Sequence, residues 1–222
     1  MTDLTLTERI ITVLDTLGIQ RAHVATQVSG DIAALVAGYP DRLAGVALVA
    51  PARVDPSKFR ALADKLLYIA PEGGTLSKTA ARTVPQLPEA QIKPLAGYSA
   101  ESWDDLATDR PDIVDLLFSH MSTISSADTG SGAEITGEAA GIRYRCLGSG
   151  PTLVLTPMAL SPSQWEPILP ALAEKFRVVA LSGRKLGMLA LLEERAALAD
   201  WRRMCSSLFN DLALQPNAKV LD

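Results

Sequence analysis

Residues 20–51 carry the strongest structural signal in the chain, and they read QRAHVATQVSGDIAALVAGYPDRLAGVALVAP. Residues 22–25 form a short apolar run, which predicts a buried strand. The small apolar residues 31–38 predict a helix that ends before Pro40, and residues 45–50 predict a second buried strand. Because unbroken apolar strands joined through a helix are typical of a parallel sheet covered on both faces, this stretch predicts an α/β fold.

The turn between the first strand and the helix is built around Gln27. The residues two positions away from it are Ala25 and Ser29, which are both small. The other candidates for the tip of the turn, Thr26 and Ser29, have β-branched or larger residues at that distance. A sharp strand–turn–helix needs small flanks because its two backbones pass close together. The pattern therefore places Gln27 at the tip.

This pattern of small-x-Gln-x-small resembles the nucleophile elbow of the α/β-hydrolase superfamily, in which the central residue is usually serine. The resemblance implies a sheet that carries a Ser-His-Asp triad at its carboxyl edge. Gln27 departs from the family pattern, because a carboxamide cannot attack a carbonyl as a hydroxyl or a thiolate does. The resemblance thus implies a hydrolase scaffold without its nucleophile, and the alternative is an ordinary strand–turn–helix of an α/β domain.

The chain before this stretch predicts one amphipathic helix. Residues 5–8, TLTE, match a capping box with Thr5 as the N-cap, and Gly18 fits the left-handed position after the helix. In α/β-hydrolases a similar helix precedes the elbow strand. The resemblance therefore begins in the middle of that fold.

Residues 56–124 give a mostly helical signal. We expect one helix over about 58–69 and another over about 111–121, while residues 71–98 are rich in Pro and Gly and give only weak signals. The resemblance makes this stretch a helical cap-like insert. Residues 125–139, SSADTGSGAEITGEA, are small and polar and predict a linker or exposed loop.

The second half of the chain, residues 140–222, resembles the beginning of an α/β-hydrolase. Residues 141–147 and 152–156 predict strands, a helix is predicted from about Ser161 to Phe176, and residues 177–181 predict another buried strand. This order resembles the oxyanion-loop region of the family. The halves of the fold, residues 1–124 and 140–222, would then stand in inverted order.

The oxyanion loop itself departs from the family pattern. There the strand usually ends in His-Gly and a following backbone N–H helps to hold the oxyanion, whereas here Thr156-Pro157 occupies that place. Proline supplies no N–H, so Met158 or Ala159 would have to provide the donor on this side. Val28, which follows the elbow residue, is the candidate for the second backbone donor.

Two histidines limit the choice of a catalytic base. His23 begins the elbow strand, behind the turn, and His120 lies on a predicted helix, so we expect neither to be catalytic. Asp55 is the best placed acid, but an acid without a base is idle. The two cysteines, Cys146 and Cys205, have no metal-ligand spacing, and we expect neither a metal nor a cofactor.

Residues 185–212 predict one long helix or two joined helices. The tail that follows, residues 214–222, resembles the entry to the first strand of class I S-adenosylmethionine-dependent methyltransferases, and the chain ends at Val220-Leu221-Asp222, before the Gly-rich loop of that family. A final edge strand is the alternative.

Composition restricts the partners. A net charge of -4 argues against a nucleic acid held through phosphate contacts, and no apolar run is long enough for a membrane span. The first residues lack the pattern of a signal peptide, so we expect a cytoplasmic protein. A small apolar ligand and self-association remain the open partner classes.

We therefore expect an α/β fold with a mainly parallel sheet of four to five strands, flanked by helices. The chain is either a permuted single domain or a fragment that spans parts of neighbouring domains. In the family that the chain resembles, the strand before the oxyanion loop lies beside the elbow strand. For the permuted domain the resemblance therefore implies that Leu153–Leu155 pairs in parallel with His23–Ala25, with Arg177–Leu181 on the far side, which would remove open strand edges from both halves.

The favoured function is a catalytically silent hydrolase-like module that binds or scaffolds, next to a methyltransferase in one version of the hypothesis. One alternative is an active esterase-like hydrolase, completed by unrecognised residues or by a partner chain. The other is an accessory segment of a methyltransferase.

Overall fold

The computed structural model describes residues 4–101, 104–124, 127–130, 132–159, 161–183 and 186–187. These residues form a nine-stranded sheet with helices on both faces. The strands are β1 Ala22–Thr26, β2 Leu43–Val49, β3 Leu66–Gly73, β4 Gln91–Ser99, β5 Thr129–Gly130, β6 Ile135–Ala139, β7 Ile142–Leu147, β8 Gly150–Leu155 and β9 Arg177–Ser182. The helices are α1 Leu6–Thr16, α2 Gly30–Gly38, α3 Gly74–Thr83, α4 Leu106–Asp109, α5 Ile113–Met121 and α6 Leu169–Ala173.

The strands lie in the order β4-β3-β2-β1-β8-β9-β7-β6, and β5 pairs with β8 off this path. Strands β4, β3, β2, β1, β8 and β9 run parallel to one another, while β7 and β6 are antiparallel additions at one end. The predicted α/β class and mainly parallel sheet are confirmed. The predicted count of four to five strands is wrong, because both ends of the sheet extend beyond the strands that the apolar runs revealed.

The two halves of the chain meet at the centre of this sheet. β1 pairs in parallel with β8 in the register His23↔Leu153, Val24↔Val154 and Ala25↔Leu155. β9 pairs in parallel with the far side of β8. The predicted pairing is therefore confirmed, and the first and second halves of the chain share one sheet.

Two hydrophobic clusters cover the faces of the sheet. Residues of α1 and α2, such as Ile10 and Leu35, pack on one face, and residues of α5 and α6, such as Leu117 and Leu172, pack on the other. All five residues of β1 are buried, as expected of the central strand of a doubly covered parallel sheet. The turn at the carboxyl end of β1 therefore has a rigid base.

The capping box that was predicted for the first helix is present. The N–H of Thr5 donates to the Glu8 carboxylate at 2.8 Å, and the N–H of Glu8 donates to the Thr5 hydroxyl at 3.3 Å. Gly18 takes the left-handed conformation, with a φ of 66°. Because these signals are local in sequence, they identify this helix without any tertiary contact.

The predicted helical cap-like insert over residues 56–124 requires a correction. It contains β3 and β4, which extend the parallel sheet, besides its helices. The helix expected over 58–69 is replaced by short 3-10 turns followed by β3, in which Leu66–Ile69 pairs with Val46–Val49. Apolar residues at helical spacing were misleading here, because the same side chains are also buried when the segment pairs with β2 as a strand.

The predicted linker also requires a correction. Within residues 125–139 lie β5 and β6, and β6 forms an antiparallel hairpin with β7. The turn residues Ala140 and Gly141 both have positive φ, at 50° and 76°, as a tight two-residue hairpin turn requires. The sequence signal was missed because β6 is a half-exposed outer strand that carries few apolar residues.

The helix expected from Ser161 to Phe176 is divided into a 3-10 turn, Pro162–Trp165, and α6. Proline at the start of each piece supplies no backbone N–H, so the helical ladder does not continue through this stretch. The helix predicted over 185–212 and the methyltransferase-like tail lie outside the described residues.

We expect Leu155→Ala to lower the free energy of unfolding by about 2–5 kcal/mol, because it leaves a cavity at the junction of the two halves. Hydrogen exchange measured by mass spectrometry should show reduced protection in both β2 and β9, which lie on opposite sides of this junction. Leu116→Ala, at a half-buried position on α5, is the control and should have a smaller effect. Loss of protection in β9 alone would contradict a single cooperative sheet.

Candidate functional site

The candidate site lies at the carboxyl edge of the sheet, where β1 turns into α2. Three residues, Gln27 to Ser29, connect the strand to the helix. Gln27 is the first of them, and only 3% of its surface is exposed. The turn lies between the ends of β2 and β8, the two neighbours of β1.

The Gln27 carboxamide bridges the chain segments on its two sides. Its Oε1 accepts a hydrogen bond from the Ala159 N–H at 2.9 Å, in the loop that follows β8. Its Nε2 lies 3.5 Å from the Ala50 carbonyl, just after β2, which makes a long hydrogen bond. The side chain of Gln27 is thus held on both sides by backbone groups.

Buried polar groups fix the loop after β8 in place. The Thr156 hydroxyl donates to the Thr26 hydroxyl at 2.7 Å, which in turn donates to the Val28 carbonyl at 3.0 Å. The indole N–H of Trp165 donates to the Thr156 carbonyl at 2.7 Å. These bonds join the end of β8 to the end of β1, and they hold the loop that carries Ala159 against the elbow.

Ala50 has a strained backbone. Its φ of 44° lies in the left-handed region, where an L-residue other than glycine costs about 1–2 kcal/mol. Its own N–H is tied to the Ile69 carbonyl at 2.9 Å, and its carbonyl faces Gln27. Strain of this kind is concentrated at functional sites, which makes this edge of the sheet the strongest site candidate in the described residues.

Asp31 is a buried acid in the first turn of α2, with 5% of its surface exposed. Its Oδ2 accepts a hydrogen bond at 2.8 Å from the N–H of Gly187, which lies after β9. Burial raises the pKa of Asp31 to about 6, although the Gly187 N–H acts in the opposite direction. The ionised form of Asp31, in the first turn of the helix that follows Gln27, is therefore destabilised by burial.

The two histidines lie at the opposite edge of the sheet from Gln27. His23 is in β1, four residues before Gln27, which corresponds to about 13 Å along a strand. The His120 ring is 2.5 Å from Oε1 of Gln91, the first residue of β4, and 3.4 Å from the carbonyl of Lys65, which precedes β3. Both rings are thus near the amino ends of the parallel strands.

The environment of His23 favours its neutral form. The side chain is fully buried, and neither ring nitrogen has a hydrogen-bond partner among the described residues. Burial lowers the pKa of His23 to about 4, and the charges of His120 and Arg21 lower it further. Burial also lowers the pKa of His120. These are the properties of core histidines.

The predicted backbone donors, Val28 and Met158, both lie close to the elbow. Met158 is fully buried, and the carbonyl of Val28 accepts the Thr26 hydroxyl. The donor that the structure brings to the Gln27 side chain is the next residue, Ala159. A role of Val28 or Met158 in holding a ligand stays a prediction.

The acid predicted from the sequence, Asp55, caps a short turn. Its Oδ1 accepts the N–H of Ser57 at 3.1 Å and the Ser57 hydroxyl at 2.6 Å. Glu101, which follows β4, accepts the Thr75 N–H at 3.1 Å and also the Thr75 hydroxyl, at the start of α3. Sequence analysis did not single out this pair, because it did not recognise the strands that bring the two residues together.

Within the part of the chain that the structure describes, no group of three or more His, Cys, Asp or Glu side chains is arranged to hold a metal ion. None of the helices described is both long enough and apolar enough to cross a membrane.

Comparison with known proteins gives a weak structural likeness. No protein-family model matches the chain, and no curated protein matches it. Among solved structures, the chain is similar to the crystal structure of a predicted CIB-like hydrolase from Thermoplasma acidophilum, at 16% sequence identity and a TM-score of 0.42. The alignment covers 53% of this chain and 57% of that protein.

Asp31→Asn should change the pH dependence of stability. The pKa of Asp31 is about 6 in the folded state, above its ordinary value of 3.8, so its stabilising contribution is complete below about pH 4 and is lost as the pH rises through 6. Asparagine retains an acceptor for the Gly187 N–H. We expect the variant to be more stable than the wild type by about 1–3 kcal/mol near pH 7.

Urea denaturation between about pH 4 and pH 7 measures this difference. Asp41→Asn, at an exposed position, is the control and should follow the wild-type curve. An Asp31→Asn variant that gains nothing on going from pH 4 to pH 7 would refute the assigned pKa.

His23→Leu should change the pH dependence of stability in the opposite direction to Asp31→Asn. The pKa of His23 is about 4 in the folded state, below its ordinary 6.5, so the contribution of His23 to stability is lost as the pH falls from 6.5 towards 4. Leucine removes this titration and suits the apolar surroundings. We expect the free energy of unfolding at pH 4, relative to its value at pH 7, to be higher in the variant than in the wild type by about 2–3 kcal/mol, measured by urea denaturation. An unchanged acid slope would show that His23 is not the responsible group.

Proposed function

We propose that the chain is a catalytically silent α/β-hydrolase-like module that binds or scaffolds without turning over a substrate. The observation that carries this proposal is the position of the Gln27 carboxamide, which fills the elbow and accepts the Ala159 N–H at 2.9 Å. The sheet order, with β8 beside β1, supports a hydrolase-like arrangement of the two halves.

Three features of the elbow support the absence of catalysis. The tip residue, Gln27, has no nucleophilic atom. The backbone N–H of Ala159 already donates to a carboxamide oxygen, so it is not free to stabilise an oxyanion. Both histidines lie near the amino ends of the strands, and a general base must be within hydrogen-bond reach of the proton that it removes.

The carboxyl edge of the sheet supports a role in binding. In open α/β sheets, ligands bind in the crevice outside the carboxyl ends of the strands. At this edge the described residues include the buried side chains of Met158 and Ala159 and the strained Ala50. A small apolar ligand is the class that these side chains would favour.

The proposal that the module lies beside a methyltransferase domain rests on Val220-Leu221-Asp222 alone. Its test is the reading frame beyond Asp222, in which a Gly-rich loop would support it.

We expect the wild type and Gln27→Ser to leave short acyl esters unhydrolysed. Restoring the hydroxyl returns the nucleophile but not the base, so the rate should stay within about tenfold of the uncatalysed reaction, whereas a complete active site gives at least about 10⁶-fold. Turnover is measured by hydrolysis of a chromogenic acetate ester, and the presence of a reactive serine is measured by labelling with a serine-directed phosphonate. Labelling of the wild type would refute the silent assignment and identify the nucleophile.

Gln27→Met is the matched variant for the structural role of the carboxamide. It retains the volume of the side chain but leaves the buried Ala159 N–H without its acceptor, so it should lower the free energy of unfolding by about 1–3 kcal/mol.

A thermal shift produced by an ester that is recovered intact would support binding without turnover, since ligands that bind only the folded state stabilise it. Consumption of the ester would contradict the proposal.

A further inference from the structure

The two outer strands of the sheet differ in how well they are protected against pairing with another strand. β4 carries Lys93 and Pro94, residues that discourage edge-to-edge association. β6, at the other end, has the sequence ITGEA and contains neither lysine nor proline. Among the described residues, β6 is paired only with β7, so its outer backbone groups face away from the sheet.

Exposed apolar side chains lie near both ends of β6. Ile135, its first residue, is 46% exposed, and Leu4 is 39% exposed. The Arg9 guanidinium donates to the Leu4 carbonyl at 2.9 Å and to the carbonyl of Ala140, just after β6, at 2.5 Å. Leu4 is therefore held near the last residue of the strand, while Ile135 lies about 14 Å away at its start.

We propose that β6 pairs antiparallel with β6 of a second copy of this chain, about a two-fold axis at Gly137. In that register Ile135 faces Ala139 of the other copy, and Thr136 faces Glu138. Such an interface is self-complementary, as two-fold symmetry requires. It also brings Ile135 of each copy to the end of the other strand, where Leu4 is held, so two exposed apolar side chains cover each other.

The charges along the strand are compatible with this register. Glu138 is the charged residue of β6, and within its own chain it lies opposite Arg143 of β7. Across the two-fold axis it faces Thr136 instead of a second carboxylate. Like charges directly opposite each other would oppose the pairing, and this register avoids them.

Sedimentation velocity over a dilution series of the full chain tests the proposal first. We expect the wild type to dimerise and Ile135→Lys to raise the dissociation constant by at least about tenfold, since lysine on an outer strand opposes pairing. Tyr39→Lys is the matched control, because Tyr39 is 39% exposed at the end of α2 and should not affect association. A monomeric wild type, or an Ile135→Lys variant that still dimerises normally, would overturn the proposal.

Disulfide trapping tests the register. Thr136→Cys and Glu138→Cys are made separately in a Cys205→Ser background, and Cys146 is retained because it is buried. We expect a covalent dimer when the two variants are mixed and oxidised, and little when either is oxidised alone, because only the mixture places two cysteines opposite each other. Equal cross-linking in the single variants, or none in the mixture, would refute the two-fold axis at Gly137.

Discussion

The parallel pairing of β1 with β8 is the contact on which the rest of the structure depends. Two-stranded parallel units would leave open edges and uncovered apolar faces on each half of the chain. The register His23↔Leu153 to Ala25↔Leu155 removes this cost by placing the strands of both halves in one sheet. It also brings the loop after β8 to the turn after β1, without which Ala159 and Gln27 could not meet.

Because of that contact, the Gln27 side chain at the turn after β1 forms hydrogen bonds with backbone groups on both of its sides. Backbone N–H groups that hold an oxyanion in a hydrolase must be available to the substrate oxygen when charge develops in the transition state. Here the Ala159 N–H donates to the Gln27 carboxamide oxygen at 2.9 Å. The Gln27 side chain therefore stabilises the loop after β8, because its carboxamide spans from the Ala159 N–H to the carbonyl of the strained Ala50.

Local motifs and apolar runs in the sequence were sufficient to predict part of the fold. The capping box at Thr5, the position of Gln27 and the central strands follow from residue types and spacing, whereas the pairing of the halves was predicted from the resemblance to a known family. β3 was missed because its apolar residues also fit helical spacing, and β4 because most of it lies in a stretch rich in Pro and Gly that gives weak signals. β6 was missed because a half-exposed outer strand has few apolar residues. The partners of Gln27 and the Glu101–Thr75 contact could not be predicted, since loop conformation decides them.

The two buried titratable groups of the β1–α2 unit have opposite effects on stability over nearly the same pH range. His23 is fully buried without a hydrogen-bond partner, so its folded pKa is near 4 and it favours the fold increasingly as the pH rises to about 6.5. Asp31 has a folded pKa near 6, so its contribution to stability falls as the pH rises from about 4 to 6. Because the two effects largely cancel, a flat stability profile in the wild type is compatible with two strongly perturbed groups. Replacing either residue alone is therefore what exposes the pH dependence of the other.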